Sequence, residues 1–229
     1  MVCTLSVFNG FQDMVAGFFT AFDPELKIIP VHGKVFDSTD PRIVQIATMP
    51  EVKVFTHTLE EQAMVKYQDR HSMAIIKGVD DNFNQLTDIE KILHGGSNFT
   101  PHDEVVEYGI LGIELVSRLG TGIRFVDPLT IYVPKREGRV NIGNPSASFN
   151  PGYLYSPGSV FIVNQARYDS QYILTSLSFA RSLLDYETEV SAIELKLIPG
   201  VSPDSFKKKL QQHLGEEFVV QNRYEQQIS

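Results

Sequence analysis

The residues best equipped for chemistry stand together at Pro101 to Glu104, "PHDE", where one imidazole is followed by two carboxylates. Such a trio could supply a general base, a proton relay or metal ligands. Consecutive loop residues point in different directions and seldom converge on one ion, so the stretch reads as a surface turn. His32, His57, His71, His94 and His213 show none of the HExxH-type spacings that bring two imidazoles to one metal. Cys3 is the only cysteine, which leaves no disulfide framework and no thiolate metal site. There is no GxSxG elbow to raise a nucleophile and no GxxxxGK[ST] loop to cradle a nucleotide phosphate. Gly109 and Gly112 in "YGILGIELVSRLG" superficially suggest a dinucleotide turn. They lie where a helix begins, no strand directly feeds them, and the third glycine is missing at its offset. No nucleophile, base and oxyanion donor assemble, so the chain reads as non-enzymatic, with no catalytic residue, metal or cofactor expected.

The composition narrows the partners. The 229 residues carry a net charge of −8, with 42% hydrophobic and 21% charged side chains. That is an ordinary globular balance with enough length for a substantial core. The negative charge disfavours nucleic acid and anionic lipid surfaces, and Lys207 to Lys209 read as the solvated face of a helix. No internal segment reaches the roughly 20 apolar residues of a membrane span. The beginning is unusual, since "MVCTLSVFNGFQ" holds no charged side chain before Asp13. It lacks the basic start and cleavage site of a signal peptide, and nothing apolar precedes Cys3 to suggest a lipidated cysteine. Phe8, Phe11, Val15, Phe18 and Phe22 recur at helical spacing, and Asp23-Pro24 ends the helix. Residues 1–22 are either an amphipathic helix packed on the core or the end of a transmembrane helix.

The elements that would have to position any site begin with a repeat. "LKIIP" at Leu26 to Pro30 returns as "LKLIP" at Leu195 to Pro199. Each copy is followed by a proline-started helix and a second strand: "STDPRIVQIATM" and "PEVKVFT", then "SPDSFKKKLQQHLG" and "EEFVVQN". Asp40 and Ser202 are natural N-caps, with Pro41 and Pro203 at the first helical position, where no amide is needed. Phe206, Leu210 and Leu214 give the second helix one buried face, and Gly215 closes it. Two βαβ units predict an α+β fold, a ferredoxin-like subdomain with both helices on one face of the sheet. In that topology both chain ends leave from one end of the sheet.

Residues 23–81 and 187–229 are expected to form this ferredoxin-like subdomain, and residues 82–186 an inserted mixed α/β subdomain. "LEEQAMVKYQ" and "HSMAIIKGVD" read as strands, the latter ending at Gly78. "TDIEKILHGG" reads as a helix capped by Thr87 and stopped by Gly95, and "EYGILGIELVSRLG" as a helix stopped by Gly120. "PLTIYVP" and "SVFIVNQA" read as strands, and "TSLSFARSLLDY" as a helix with Phe179, Leu183 and Leu184 on one face. The run from Pro134 to Ser159 shows little periodicity, and structureless connections of that length are often functional. Phe149, Tyr153 and Tyr155 make it either a recognition hairpin or a loop whose aromatic side chains fold back onto the core.

These segments carry a resemblance. "TLSVFNGFQDMVAGFF", "MAIIKGVDDNF", "YGILGIELVSRLG", "DPLTIYVPKR", "QYILTSLSFARSLLDY", "VSAIELKL" and "RYEQQ" are similar, in that order, to segments of permeases in the lipoprotein-releasing and MacB-like family of ABC transporters. The resemblance covers essentially the whole chain. It implies a periplasmic domain between the first and second transmembrane helices of an inner-membrane permease, with "TLSVFNGFQDMVAGFF" as the end of the first helix and the two βαβ units as a porter-like subdomain. Its implied partners are cytoplasmic ATPase subunits reached through the transmembrane region, a second permease copy or paralogue, and a periplasmic carrier protein or lipoprotein substrate.

In the lipoprotein-releasing branch a loop of the inserted subdomain docks the carrier, and Arg139 to Ser159 occupies the comparable position. The resemblance therefore makes Phe149, Tyr153, Tyr155 and Pro157 candidate partner-binding residues. This loop is longer and less basic than that hook. The expected function is coupling of ATP-driven motion to lipoprotein release or transfer. The alternatives are a MacB-like exporter domain working with an adaptor and an outer-membrane channel, and an FtsX-like module that activates a cell-wall hydrolase.

Overall fold

In the computed structural model, which describes residues 22–96, 98–136, 143 and 145–228, the two near-identical segments lie side by side, Leu26 opposite Leu195. The chain runs through β1 (Leu26–Pro30), β2 (Phe36–Asp37), α1 (Pro41–Ile46), β3 (Val52–Tyr67), β4 (Arg70–Val79) and α2 (Phe83–Leu86). It continues through β5 (Leu93–His94), β6 (Ile110–Leu111), α3 (Ile113–Leu119), β7 (Leu129–Pro134), β8 (Phe149–Leu154), β9 (Val160–Phe161) and α4 (Ala166–Asp169). It closes with β10 (Tyr172–Ser176), α5 (Leu177–Leu184), β11 (Glu189–Val190), β12 (Ala192–Leu197), α6 (Pro203–Leu214), β13 (Phe218–Asn222) and α7 (Arg223–Ile228). The helix expected over residues 1–22 falls, apart from Phe22, outside the described residues, as do 137–142 and 144 of the long connection.

The main sheet has the order β13-β1-β12-β3-β4-β10-β6, with β7 and β8 beside the far half of β3. β13, β1, β12 and β3 each run antiparallel to their neighbours, which is the ferredoxin-like order expected of two interleaved βαβ units. Their helices form for local reasons. The Asp40 side chain accepts from the Arg42 amide at 2.9 Å and that of Ser202 from the Ser205 amide at 3.4 Å, with a proline starting each helix. Ile43 and Ile46 of α1 meet Phe206, Leu210 and Leu214 of α6 in one core over β1 and β12, so both helices lie on one face.

A second core on that face fills the far half of the sheet, with Val65, Ile76, Leu115, Ile131 and Leu154. α5 bridges the two, giving Leu177 and Ala180 to the first and Phe179 and Leu183 to the second. It lies close on β4, because a Cβ at Gly78 would stand 2.4 Å from that of Ala180. A third core covers the opposite face with Phe22, Val54, Val79, Phe83, Phe161 and Tyr172. The sheet therefore runs without a break from the repeated units into the 82–186 segment.

Several elements differ from the sequence reading. "PEVKVFT" and "LEEQAMVKYQ" are one 16-residue strand, β3, because its buried face changes sides from the third core to the second along its length. The segment read as a helix from Thr87 is a single 3-10 turn, Ile89–Ile92, with Asp88 at its start, and Leu93–His94 is already a strand. In "EYGILGIELVSRLG" the helix spans only Ile113–Leu119 after a short strand. "SVFIVNQA" pairs only at Val160–Phe161, opposite β5. Helix α5 starts at Leu177, two residues after Thr175, because "YILTS" is a strand buried at every position.

Candidate functional site

Both ends of the described chain meet at one corner of the sheet. Leu26, first in β1, pairs with Asn222, last in β13. Beyond that pair, Arg223 Nε donates to the Asp23 carbonyl at 3.1 Å and Gln226 Nε2 to the Pro24 carbonyl at 3.1 Å. The Asp23 carboxylate is buried and accepts from Gln227 Nε2 at 2.6 Å and from the Tyr168 hydroxyl at 3.0 Å. Phe22 stacks on Tyr168 with ring centroids 4.7 Å apart and packs against Phe161 and Tyr172. Burial and the Asp23 charge together push the Tyr168 phenol above its usual range. Lys207 pairs with Glu225, fastening α7 to α6. The segment leading into β1, the helix α7 and the 82–186 segment are thus joined through Asp23.

Behind this junction lies a buried charge network. Lys77 Nζ, on a side chain only 2% exposed, reaches Glu60 Oε1 at 2.9 Å and Glu194 Oε1 at 2.5 Å. Lys27 stands 3.9 Å from Glu60 and 4.0 Å from Glu194. The Tyr172 hydroxyl donates to Glu60 Oε2 at 3.2 Å. Burial alone would raise the Glu60 carboxyl, but Lys77 and Lys27 outweigh it and hold its pKa at about 2. Burial likewise opposes the Lys77 charge, and Glu194 and Glu60 overcome it and raise the ammonium. Two cations face two carboxylates, so the cluster neutralises itself and ties β1, β12, β3, β4 and β10 together.

The loop candidates fall on and after a hairpin arm. β7 and β8 pair from Leu129–Leu154 to Pro134–Phe149, so the connection begins and ends as strands. Phe149 and Tyr153 point outward on β8 and are exposed. Tyr155 is exposed too, while its backbone joins Glu107 and Gly109. Pro157 is half-buried in the turn before β9 and stands apart from the other three. The aromatic side chains at 149, 153 and 155 therefore do not fold into the core.

Cross-strand register extends this outward face. Met73, Met64, Tyr132 and Pro151 stand opposite one another in a row across β4, β3, β7 and β8. Met73 is 60% exposed and Tyr153 54%. The sequence reading missed Met64, Met73 and Tyr132. The alternation of "QAMVKY" and "LTIYVP" was the available signal, and it shows which positions share a face without showing which strands adjoin.

The "PHDE" residues do not converge. His102 Nε2 lies 2.8 Å from Asp81 Oδ1, and this hydrogen bond raises the imidazole pKa. Asp103 instead turns to the Val105 and Val106 amides and the Tyr108 hydroxyl. Among the described residues no three His, Cys, Asp or Glu side chains are grouped to hold a metal ion. No described helix is long and apolar enough to cross a membrane. Gly112 precedes a seven-residue helix, and a Cβ there would stand 2.4 Å from the Asp169 carbonyl oxygen. Close packing against backbone, not phosphate contact, accounts for that glycine.

By sequence, no family model and no curated protein matches the chain. Solved structures resemble it in fold, among them two that match over most of both chains. One is the periplasmic region of MacB from Actinobacillus actinomycetemcomitans, with a TM-score of 0.59 and 12% identity over 93% of this chain and 97% of that one. This is a MacB-like fold. The other is the extracellular domain of YknZ, a noncanonic ABC-type transporter from Gram-positive bacteria, with a TM-score of 0.56 and 12% identity. It covers 87% of this chain and 99% of its own. With 93% of the chain matched, the MacB-like fold extends beyond the two βαβ units into the 82–186 segment.

Proposed function

We propose that the chain is the extracytoplasmic domain of an ABC transporter permease, held to the membrane by helices at both ends. The observation that carries this reading is the terminus junction, where Arg223 donates to the Asp23 carbonyl. A domain whose two ends leave from one corner can be tilted as a rigid body by two adjacent helices. The continuous sheet and the buried Lys77 network supply the stiffness to pass that tilt to the hairpin face. ATP hydrolysis belongs, on this reading, to cytoplasmic subunits, and the domain itself is non-catalytic.

The cargo assignment is finer. The sequence resemblance supports lipoprotein release or transfer to a periplasmic carrier from the inner membrane, through Phe149, Tyr153 and Tyr155. The MacB-like fold supports a second reading, a mechanical exporter domain that engages an adaptor. The deciding experiment is binding of the 229-residue chain to a purified lipoprotein carrier, an adaptor and a cell-wall hydrolase from the same organism. Carrier binding that is lost in Tyr153→Ala establishes the first reading. Adaptor binding selects the exporter, and hydrolase binding an FtsX-like role. A chain that binds none of them and turns over a small molecule overturns the transport assignment.

A further inference from the structure

Asp80 and Asp81 make the step from β4 into the 82–186 segment, and each carboxylate meets a different imidazole. Asp80 Oδ2 accepts the His57 amide at 2.8 Å and lies 2.7 Å from His57 Nδ1. Asp81 Oδ1 lies 2.8 Å from His102 Nε2. The two contacts make different demands on the proton. A neutral imidazole carries one N–H, and one is all that the contact between His57 and Asp80 uses. His102 faces acceptors with both nitrogens, since its Nδ1 stands 3.2 Å from the Asp103 carbonyl oxygen. A carbonyl and an ionised carboxylate can only accept, so both contacts are hydrogen bonds only when the ring is the imidazolium.

The groups around the ring favour that charge. The Asp81 hydrogen bond and the Asp103 carbonyl raise the His102 pKa, partial burial opposes them, and the Asp81 and Glu107 charges add to the rise. The Asp103 carboxylate is held low by the Tyr108 hydroxyl and the Val105 and Val106 amides, and the His102 charge acts on it in the same sense. The start of α5 presents Ser176 and Ser178 to this corner, both donating to Glu107.

The ring belongs to a small turn that leads to an exposed aromatic residue. His102 bridges to Glu107, the Asp103 amide donates to the Val106 carbonyl, and the Tyr108 amide donates to that of Pro101. The Glu107 carbonyl then accepts the Tyr155 amide at 2.9 Å, and the Gly109 amide donates to the Tyr155 carbonyl at 3.0 Å. The turn that His102 ties to the end of β4 therefore holds Tyr155 by its backbone.

We propose that His102 is a proton-operated clasp. Protonated, it fastens the 101–108 turn to Asp81. Neutral, it keeps one of its two acceptors and lets go of the other, and the turn loosens beneath Tyr155. The contact between His57 and Asp80 needs no second proton, so the end of β4 stays in place as the fixed half. The folded His102 value lies above the ordinary 6.5, so the fastening is complete below about 6.5 and is lost as pH rises through the raised value. The inference rests on the geometry of this turn and stands whether or not the domain belongs to a transporter.

The test is nuclear magnetic resonance on the isotope-labelled 229-residue chain, titrated from about pH 5.5 to 8.5, the range in which imidazoles change charge. Asp81→Asn, at an exposed position, and His102→Gln are measured in parallel, and their amide spectra confirm that they are folded. Ring nitrogen shifts of His102 report how many N–H groups it carries. Hydrogen-exchange protection factors, which divide out the intrinsic pH dependence of exchange, are read at the Tyr108 and Tyr155 amides. The expected result is a doubly protonated ring at the acidic end. Protection at both amides should fall about threefold to tenfold as the ring deprotonates, the equivalent of one ordinary hydrogen bond. In Asp81→Asn the ring should titrate at lower pH and the fall should move with it, and His102→Gln should show no fall. A ring with a single N–H at the acidic end, protection that does not change with pH in the unmodified chain, or an unmoved fall in either variant overturns the proposal.

Discussion

Tyr168 donates its hydroxyl to Asp23 Oδ1 at 3.0 Å across 145 positions of sequence, and Gln227 donates to the same oxygen at 2.6 Å. One buried carboxylate thus joins the segment leading into β1, the helix α7 and the segment between the two βαβ units. Any displacement at one of these three must strain the other two or break a hydrogen bond.

Tyr168→Phe is therefore expected to cost about 1 kcal/mol, since it removes one donor and leaves the ring stacked on Phe22. Asp23→Ala removes the acceptor of both Tyr168 and Gln227 and is expected to cost about 2–4 kcal/mol by the same reasoning. Urea unfolding midpoints measure both. Amide hydrogen exchange in α7 should accelerate in Asp23→Ala, and unchanged protection there would show that Asp23 does not fasten the helix.

The Lys77 network gives a pH dependence with a definite sign. The Glu60 carboxyl is held at about 2 in the folded chain against an ordinary 4.5, so it is depressed. Its contribution is complete above the unfolded value and is withdrawn as pH falls from about 4.5 through about 2. With about 1.4 kcal/mol per pKa unit, at most about 3 kcal/mol is lost, and Glu60→Gln should flatten the stability curve in that window. Lys77→Met leaves Glu194 buried beside Glu60 with only Lys27 near, an expected loss of about 3–5 kcal/mol. Adding Glu194→Leu should recover part of that loss, because the uncompensated buried charge goes with it.

Gly112→Ala tests the closest approach of α3 to its neighbour. The new Cβ would lie 2.4 Å from the Asp169 carbonyl oxygen and 2.7 Å from its carbon, and backbone cannot rotate aside as a side chain can. The expected loss is about 1–3 kcal/mol, the usual range for overpacking. Gly96→Ala is the matched control, since the nearest atom to its Cβ is at 3.6 Å, and its midpoint should move by less than about 0.5 kcal/mol.

The parts of the fold that were legible in the sequence are those set by neighbours along the chain. Asp40 and Ser202 cap their helices, and Phe206, Leu210 and Leu214 are buried as spaced. Features set by distant neighbours were not legible. β10 is buried at every position and so shows no alternation. The run "VFIV" carries strand-like side chains, yet only two residues pair, because the Val163 amide turns to Asp169 Oδ1 and the chain bends at Asn164, whose φ is +60°. Thr87 has the chemistry of a cap but follows α2 instead of starting a helix. Of the candidate surface, Phe149, Tyr153 and Tyr155 were visible in the loop composition. Met64, Met73 and Tyr132 required the register of three strands.

Strand β8 separates an exposed face from the core residue by residue. Leu154 is fully buried in the core under the far half of the sheet, while Tyr153, its immediate neighbour, points to the opposite face. Leu154→Ala should lose about 2–5 kcal/mol, as buried leucines do. Tyr153→Ser and Phe149→Ser remove exposed rings and should shift the midpoint by less than about 1 kcal/mol. If this face meets a partner, those two variants should weaken binding about tenfold or more while remaining folded, as truncated aromatic anchors do, read by titration calorimetry against whichever protein the chain engages. Serine variants that bind as tightly as the original would remove the hairpin face from the interface. Variants that unfold would show instead that the exposed rings serve the hairpin's own stability.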